Sequence, residues 1–165
     1  SKEVIEQSKN LGWRLKDEPI DSIYSSDLAR TKDTALEIAK FHNNIPIYFV
    51  EELREGSLGS LEGLPKEGVN LSNIPKEANV EPLESMHKRA VSLLNSSYSK
   101  YSDKTVLFAG HNGINRILIA HLLNVRLEDF AKKINKLSNA SISIFDVSLN
   151  KGNHCHLFNC TKHLD

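Results

Sequence analysis

Two short segments of this sequence combine residue types that can hold a small anion and move a proton. His111 lies in the segment GHNG (residues 110–113), where the small glycines let a ligand approach the backbone closely. Arg30 ends the segment SSDLAR (residues 25–30), at the predicted start of a helix. Free backbone N–H groups at a helix start attract anions, and a guanidinium binds a phosphate with two parallel hydrogen bonds. Taken alone, Arg30 fits a solvated surface residue better, and a single histidine is usually structural.

A third segment, residues 51–63, supplies a carboxyl group. Leu53, Leu58 and Leu61 can anchor this loop, which leaves Glu55 facing a cleft. A carboxyl group beside a bound phosphate favours its protonated form, and this suits a general acid. An acidic loop by itself is weak evidence of catalysis, so the positions of the three segments in the fold decide their function.

The spacing of apolar residues predicts the elements that position these segments. Helices are predicted over residues 1–16, 28–41, 84–98 and from Gly113 to Leu123, and strands over 21–26, 45–50, 105–109, 140–147 and 154–160. Residues 51–82, rich in glycine and proline, are predicted to be an irregular loop. Strands that alternate with such helices pair in parallel, so we predict an α/β fold: a three-layer α/β/α sandwich with a mostly parallel central sheet. The last two strands would form a hairpin that adds an antiparallel edge. Ligands bind beyond the carboxyl ends of such strands, where Arg30 and His111 lie.

Length and charge exclude several classes of protein. The chain has 165 residues, which fits one domain over residues 1–165, and its 21 basic side chains balance its 21 acidic ones. A zero net charge argues against a surface for nucleic acid or for an anionic membrane. No apolar run is long enough to cross a bilayer, and no signal-peptide pattern is present. With two cysteines and no disulfide scaffold, we expect a cytoplasmic location.

Together and in this order, the three segments resemble the histidine phosphatase superfamily, the phosphoglycerate-mutase-like fold. The similar segments are SSDLARTKDTA (25–35), LREGSLGSLEG (53–63) and GHNGINR (110–116), with further similarity at Gln7, Leu11, Gly12 and the tail NCTKHL (159–164). The resemblance implies that Glu55 and His111 are catalytic and that Arg30, His111 and Asn112 bind the substrate phosphate. It implies a small phosphorylated substrate, no metal and no other cofactor, and it leaves a homodimer open.

One motif of that family, Arg-His-Gly at the end of the first strand, does not occur in these 165 residues. We therefore expect about 20 further residues before Ser1, which would carry the first strand and the nucleophilic histidine. By resemblance, that histidine would form a phosphohistidine, and Glu55 would protonate the leaving alkoxide. These 165 residues alone would then be inactive.

Other functions remain open. A mutase shares this core, but residues 64–83 lack the long arginine-rich insertion of mutases, which favours a phosphatase. A non-catalytic module that binds a phosphorylated ligand or a protein fits if the nucleophile is truly absent. A nucleotide-binding domain is not supported, because no glycine-rich loop follows a predicted strand. A cluster near the end of the chain could suggest zinc, but its spacing matches no standard site, and we predict no metal there. Its members are His154, Cys155, His156, Cys160 and His163. We expect His121, on the apolar helix after Gly113, to be structural.

Overall fold

The predicted helices and strands are all present, each with ends within about two residues of the prediction. The computed structural model describes residues 1–64 and 74–165. Its helices are α1 (Lys2–Leu15), α2 (Ala29–Ala39), α3 (Leu83–Lys100), α4 (Asn112–Leu122) and α5 (Phe130–Lys133). Its strands are β1 (Ser22–Ser26), β2 (Ile47–Val50), β3 (Val106–Ala109), β4 (Ile142–Asp146) and β5 (His154–Cys160). Residues 65–73 of the predicted irregular loop lie outside the described residues. None of the described helices is both long and apolar enough to span a membrane.

The first three strands form a parallel sheet with the order β2-β1-β3. Ile23 of β1 pairs with Ile47 of β2 on one side and with Leu107 of β3 on the other. Because β1 has a partner on both sides and helices over both faces, it is buried at every position. The carboxyl ends of β1 and β3 therefore lie side by side.

Alternate side chains of this sheet pack into two separate cores, as the period of a strand requires. Tyr24 points to the core formed with α3 and α4, whereas Ile23 points to the core formed with α1 and α2. The first core contains the buried Met86, Leu93, Ile114 and Ile117; the second contains Leu11, Leu15, Ala35 and Ile38. This arrangement confirms the three-layer α/β fold.

The terminal hairpin differs from the prediction in one respect. Strands β4 and β5 pair antiparallel, but as a separate two-stranded sheet that is not hydrogen-bonded to the parallel one. Phe145 still packs against the first core and Ile144 against the second, so the hairpin lies in the middle layer. Within the described residues, the outer edges of β3 and β4 both lack a strand partner.

Candidate functional site

The ends of β1 and β3 bring together two of the segments chosen from the sequence. His111 immediately precedes α4, and Ser26 is the last residue of β1. The Nε2 atom of His111 lies 3.0 Å from the Ser26 hydroxyl and 3.4 Å from that of Thr31, at the start of α2. Two hydroxyl groups on one ring nitrogen fix the orientation of the imidazole. His111 therefore lies where the two helices begin, as predicted.

The charges around His111 are those expected of an anion site. Burial lowers the pKa of His111 below its usual value, the Glu55 carboxylate raises it, and the positive charges of Arg30 and Arg89 lower it. The net effect favours the neutral imidazole. A bound anion would act in the opposite direction and favour the imidazolium.

Glu55 reaches this site by capping a helix. Its two carboxylate oxygens accept hydrogen bonds from the backbone N–H groups of Gly113 (2.8 Å) and Ile114 (3.0 Å), in the first turn of α4. A Cβ atom on Gly113 would collide with that carboxylate, so this close approach requires glycine. The buried Leu53 anchors the loop, as its apolar character predicts. Glu55 and His111 are therefore neighbours across the start of α4.

Arg30 lies in the first turn of α2 and is exposed to solvent. Within the described residues, its guanidinium makes no hydrogen bond or ion pair, which leaves its donors available to a ligand. The residue that precedes α2 is Leu28, whose own side chain does not cap the helix. The sequence favours Ser26 and Asp27 as a cap for this helix. The Ser26 hydroxyl contacts His111 and also accepts a hydrogen bond from the backbone N–H of Leu28 at 3.3 Å, just before the first turn rather than within it.

Asn112, predicted to bind phosphate, has a structural bond in addition. Its Oδ1 atom accepts a hydrogen bond from the backbone N–H of Leu137 at 2.9 Å, which ties the start of α4 to the segment before β4. This bond engages the acceptor oxygen of the side chain, so the amide NH2 and the backbone N–H of Asn112 stay available as donors to an anion. Its role in phosphate binding stays a prediction.

A cleft of about 420 Å³ adjoins Glu55, and sequence reasoning missed the ion pairs that line it. Arg54 binds both carboxylate oxygens of Asp27, at 2.7 and 2.6 Å, and holds the pKa of Asp27 below its usual value. Arg89 binds both oxygens of Glu81, at 2.8 and 3.0 Å. The partners are distant in sequence or on different elements, so no local pattern signals them.

The histidine and cysteine cluster near the end of the chain forms no metal-binding group within the described residues, although the ring centroids of His154 and His156 lie 4.5 Å apart. The Nε2 atom of His156 lies 2.7 Å from an Asp146 oxygen, Cys155 bonds the carbonyl of Leu157, and His163 bonds that of Ala140. In residues 1–64 and 74–165, no three His, Cys, Asp or Glu side chains come close enough to hold a metal ion.

His121 lies on α4 and faces another histidine. Its Nδ1 atom is 3.3 Å from Nε2 of His87 on α3. Burial and the neighbouring His87 both lower its pKa. His121 thus takes part in the packing of α3 against α4.

Comparisons with known proteins identify the family of this chain. The family model of the histidine phosphatase superfamily (branch 1) matches residues 1–161. The chain is 25% identical over 154 residues to phosphoglycerate mutase-like protein 4 of Arabidopsis thaliana, a match that covers 85% of this chain and 65% of that protein. It is 28% identical over 156 residues to the metal-independent phosphoserine phosphatase of the same plant, covering 87% of this chain and 62% of that protein.

The chain therefore spans somewhat over three fifths of the length of these relatives. Among solved structures, it superposes on Bacillus stearothermophilus YhfR with a TM-score of 0.88 and 22% identity, over 100% of this chain and 86% of that one. At that identity the likeness shows a shared fold. The match of the family model over nearly the whole chain confirms the resemblance carried by the three segments. The chain belongs to the histidine phosphatase superfamily, branch 1.

Proposed function

We propose that the complete protein hydrolyses a phosphomonoester without a metal, through a phosphohistidine. The observation that carries this proposal is the convergence of Arg30, His111 and Glu55 where α2 and α4 begin. An arginine without a partner among the described residues, the start of α2 and a histidine suit a phosphoryl group. A nearby carboxyl group suits its leaving oxygen.

The nucleophile would come from the family's Arg-His-Gly motif, on a strand outside residues 1–165. Two observations support this placement. The described strands leave the outer edges of β3 and β4 without partners, although Phe145 and Ile144 of β4 pack into the same two cores as the parallel sheet. A strand that paired with both edges would join the two sheets into one, and exposed edges of this kind are rarely left uncovered. Such a strand would end beside β3, and so beside His111.

The chemistry divides among the residues already placed. The incoming histidine attacks phosphorus, the P–O bond to the alcohol breaks, and Glu55 gives its proton to the departing alkoxide. Arg30, Asn112 and His111 offset the charge on the phosphoryl oxygens. Glu55 then takes a proton from the water that attacks the phosphohistidine, which releases phosphate and restores the histidine.

The charge of the cleft favours a phosphatase over a mutase that must hold a substrate carboxylate. The two arginines in the described lining, Arg54 and Arg89, are each bound to both oxygens of a carboxylate. Three further carboxyl groups, those of Glu51, Glu52 and Glu55, line the same cleft. An anionic leaving group would meet repulsion there, so we infer a neutral or cationic alcohol.

The test uses the reading frame extended before Ser1 to include the Arg-His-Gly motif. We expect hydrolysis that survives a chelator, and an acid-labile phosphoenzyme trapped on the new histidine. Glu55→Gln should slow hydrolysis of an alkyl phosphate about tenfold or more, but that of p-nitrophenyl phosphate far less, because a good leaving group needs no acid. Glu77→Gln, at an exposed glutamate outside the described lining of the cleft, is the matched control.

Two results would contradict the proposal. If the extended frame contains no Arg-His-Gly motif and the folded product has no activity, the protein is a binding module for a phosphorylated ligand. If Glu55→Gln slows both substrates equally at an unchanged melting temperature, Glu55 positions the substrate, and Glu52 or Glu62 becomes the candidate acid.

A further inference from the structure

A cluster of tyrosines and a lysine lies on the α3 side of the sheet, apart from the site described above. Tyr48, on the edge strand β2, stacks on Tyr24 of β1 with ring centroids 4.6 Å apart. Its hydroxyl oxygen lies 2.7 Å from that of Tyr101, the residue that ends α3. Tyr48 is half-buried, so its ring is fixed while its hydroxyl group stays within reach of solvent.

The neighbour that matters most is Lys100. Its ammonium group donates a hydrogen bond of 2.9 Å to the Tyr48 oxygen and lies 4.6 Å from the centre of the Tyr48 ring. The Tyr48 oxygen can therefore accept from an ammonium group and from the Tyr101 hydroxyl at once. Both donors stabilise a negative charge on that oxygen.

The titration of the cluster follows from this geometry. Hydrogen bonds from Lys100 and Tyr101 lower the pKa of Tyr48, against an opposing effect of burial. The bond to Tyr48 raises the pKa of Tyr101, and the Tyr48 oxygen raises that of Lys100. The titratable groups that face Tyr48 are thus Lys100 and Tyr101 from α3 and Tyr24 from β1. The first proton to leave comes from Tyr48, while Lys100 stays an ammonium.

We propose that Tyr48 is an acyl-accepting site, whose phenolate oxygen, held by Lys100 and Tyr101, reacts with activated acyl donors such as acyl phosphates. The phenolic proton passes to solvent, the oxygen attacks the acyl carbon, and the bond from that carbon to the leaving group breaks. The product is an aryl ester on Tyr48 and a leaving group that carries away the electron pair. Lys100 also stabilises the oxyanion of the tetrahedral intermediate.

A lower pKa has two opposing effects on the rate at which the Tyr48 oxygen is acylated. A more acidic oxygen is a weaker nucleophile, with a slope of about 0.4–0.5 per pKa unit for thiolates. The ionised fraction below the pKa rises with a slope of one, so the gain in phenolate outweighs the loss in reactivity. Because Lys100 remains protonated, it does not compete, and the acyl group should be found on oxygen rather than on nitrogen.

The experiment treats the complete protein with N-acetylimidazole near neutral pH and follows each tyrosine of residues 1–165 by mass spectrometry. Tyr98, also on α3, is the internal control, because no described residue bonds its hydroxyl group. We expect Tyr48 to be acetylated about fivefold faster than Tyr98 or more, and the ester to be removed by hydroxylamine. Lys100→Met should abolish this advantage, whereas Lys100→Arg should keep most of it.

Lys100 is exposed, so its variants should fold, and an unchanged melting temperature confirms this in each case. Equal rates at Tyr48 and Tyr98, or an advantage that survives Lys100→Met, would overturn the proposal. A hydroxylamine-resistant acetyl group on Lys100 would also overturn it. None of these results depends on the phosphatase activity, since the cluster shares no residue with that site.

Discussion

Helices α2 and α4 begin in the same setting but differ in what binds their first turns. Each has 11 residues, follows a strand of the parallel sheet, and starts without a side-chain cap from its own N-cap residue. In α4, the Glu55 carboxylate accepts hydrogen bonds from two N–H groups of the first turn. In α2, the first turn carries Arg30 and no acidic residue.

The difference separates an internal anion site from an external one. A helix start attracts negative charge, so the Glu55 carboxylate stabilises α4 as a capping residue would. A cation in the first turn interacts unfavourably with the helix dipole, so the charge of Arg30 destabilises α2. Under the proposed function, an anion from outside the chain is the partner that Arg30 lacks among the described residues.

The largest effect expected from this comparison concerns anion binding at α2. Arg30→Ala should weaken binding of inorganic phosphate by about tenfold to a hundredfold, since a charged hydrogen bond contributes about 1.5–3 kcal/mol. Calorimetric titration of the complete protein measures this. Lys32→Ala is the control, because Lys32 is two residues after Arg30 and so lies on the opposite side of α2. It should change binding by less than about twofold. Unchanged affinity in Arg30→Ala would remove α2 from the site.

The next effect concerns the internal carboxylate of α4. Glu55→Ala leaves two backbone N–H groups without their acceptor and should lower the free energy of unfolding by about 1–2 kcal/mol, as the loss of an N-cap does. Glu55→Gln keeps one acceptor oxygen and should cost about half of that. Urea denaturation measures both. The exposed Glu52, whose carboxylate bonds no described residue, gives the control variant Glu52→Ala, which should be neutral.

The comparison also shows what the sequence could predict. Parallel pairing of β1 and β3 was enough to place Arg30 beside His111, because strand ends and helix starts follow from local patterns. The contact of Glu55 with α4 was not predictable, because the two are distant in sequence. The buried Leu53 brings the loop to the helix, and Gly113, which has no Cβ atom, leaves room for the carboxylate. The Ser26 hydroxyl bonds both the backbone N–H of Leu28, as a local pattern can predict, and the ring of His111, a contact that only the tertiary structure shows.

Gly113 gives a smaller effect whose sign depends on Glu55. Gly113→Ala places a methyl group on the carboxylate and should cost about 1 kcal/mol in the wild-type chain. In the Glu55→Ala background the obstacle is gone, and alanine in a helix should stabilise by about 0.5–1 kcal/mol relative to glycine. Urea denaturation of the four chains gives this cycle. Additive costs would show that Glu55 does not approach Gly113 in solution.

The pH dependence of stability distinguishes two half-buried histidines, His111 and His121. Burial lowers the pKa of His111 and of His121 in the folded state, whereas an unfolded histidine titrates near about 6.5. Between the folded and unfolded values the unfolded chain binds more protons, so their contribution is complete above about pH 6.5 and is lost as the pH falls below it.

Histidine variants measure these two contributions separately. His111→Gln and His121→Gln should each flatten the fall in melting temperature on the acid side. Saturating phosphate should flatten the wild-type profile through His111 alone, because the bound anion favours the imidazolium. Phosphate should therefore leave the profile of His111→Gln unchanged in slope. A slope in His111→Gln that still responds to phosphate would place the anion elsewhere.

The smallest expected effect tests whether Arg30 is held at α2 against the helix dipole. Arg30→Gln keeps most of the length of the side chain and removes its charge, so it should raise the free energy of unfolding by about 0.3–0.5 kcal/mol. Arg30→Glu should raise it further, since a carboxylate suits the first turn of a helix. Both gains should shrink in concentrated sodium chloride, which screens exposed charges, and both should vanish in saturating phosphate, which the wild-type chain binds more tightly. A loss of stability in Arg30→Gln would mean that the guanidinium stabilises the folded chain when no anion is bound. Helices α2 and α4 would then differ only in which group of the chain interacts with their first turns.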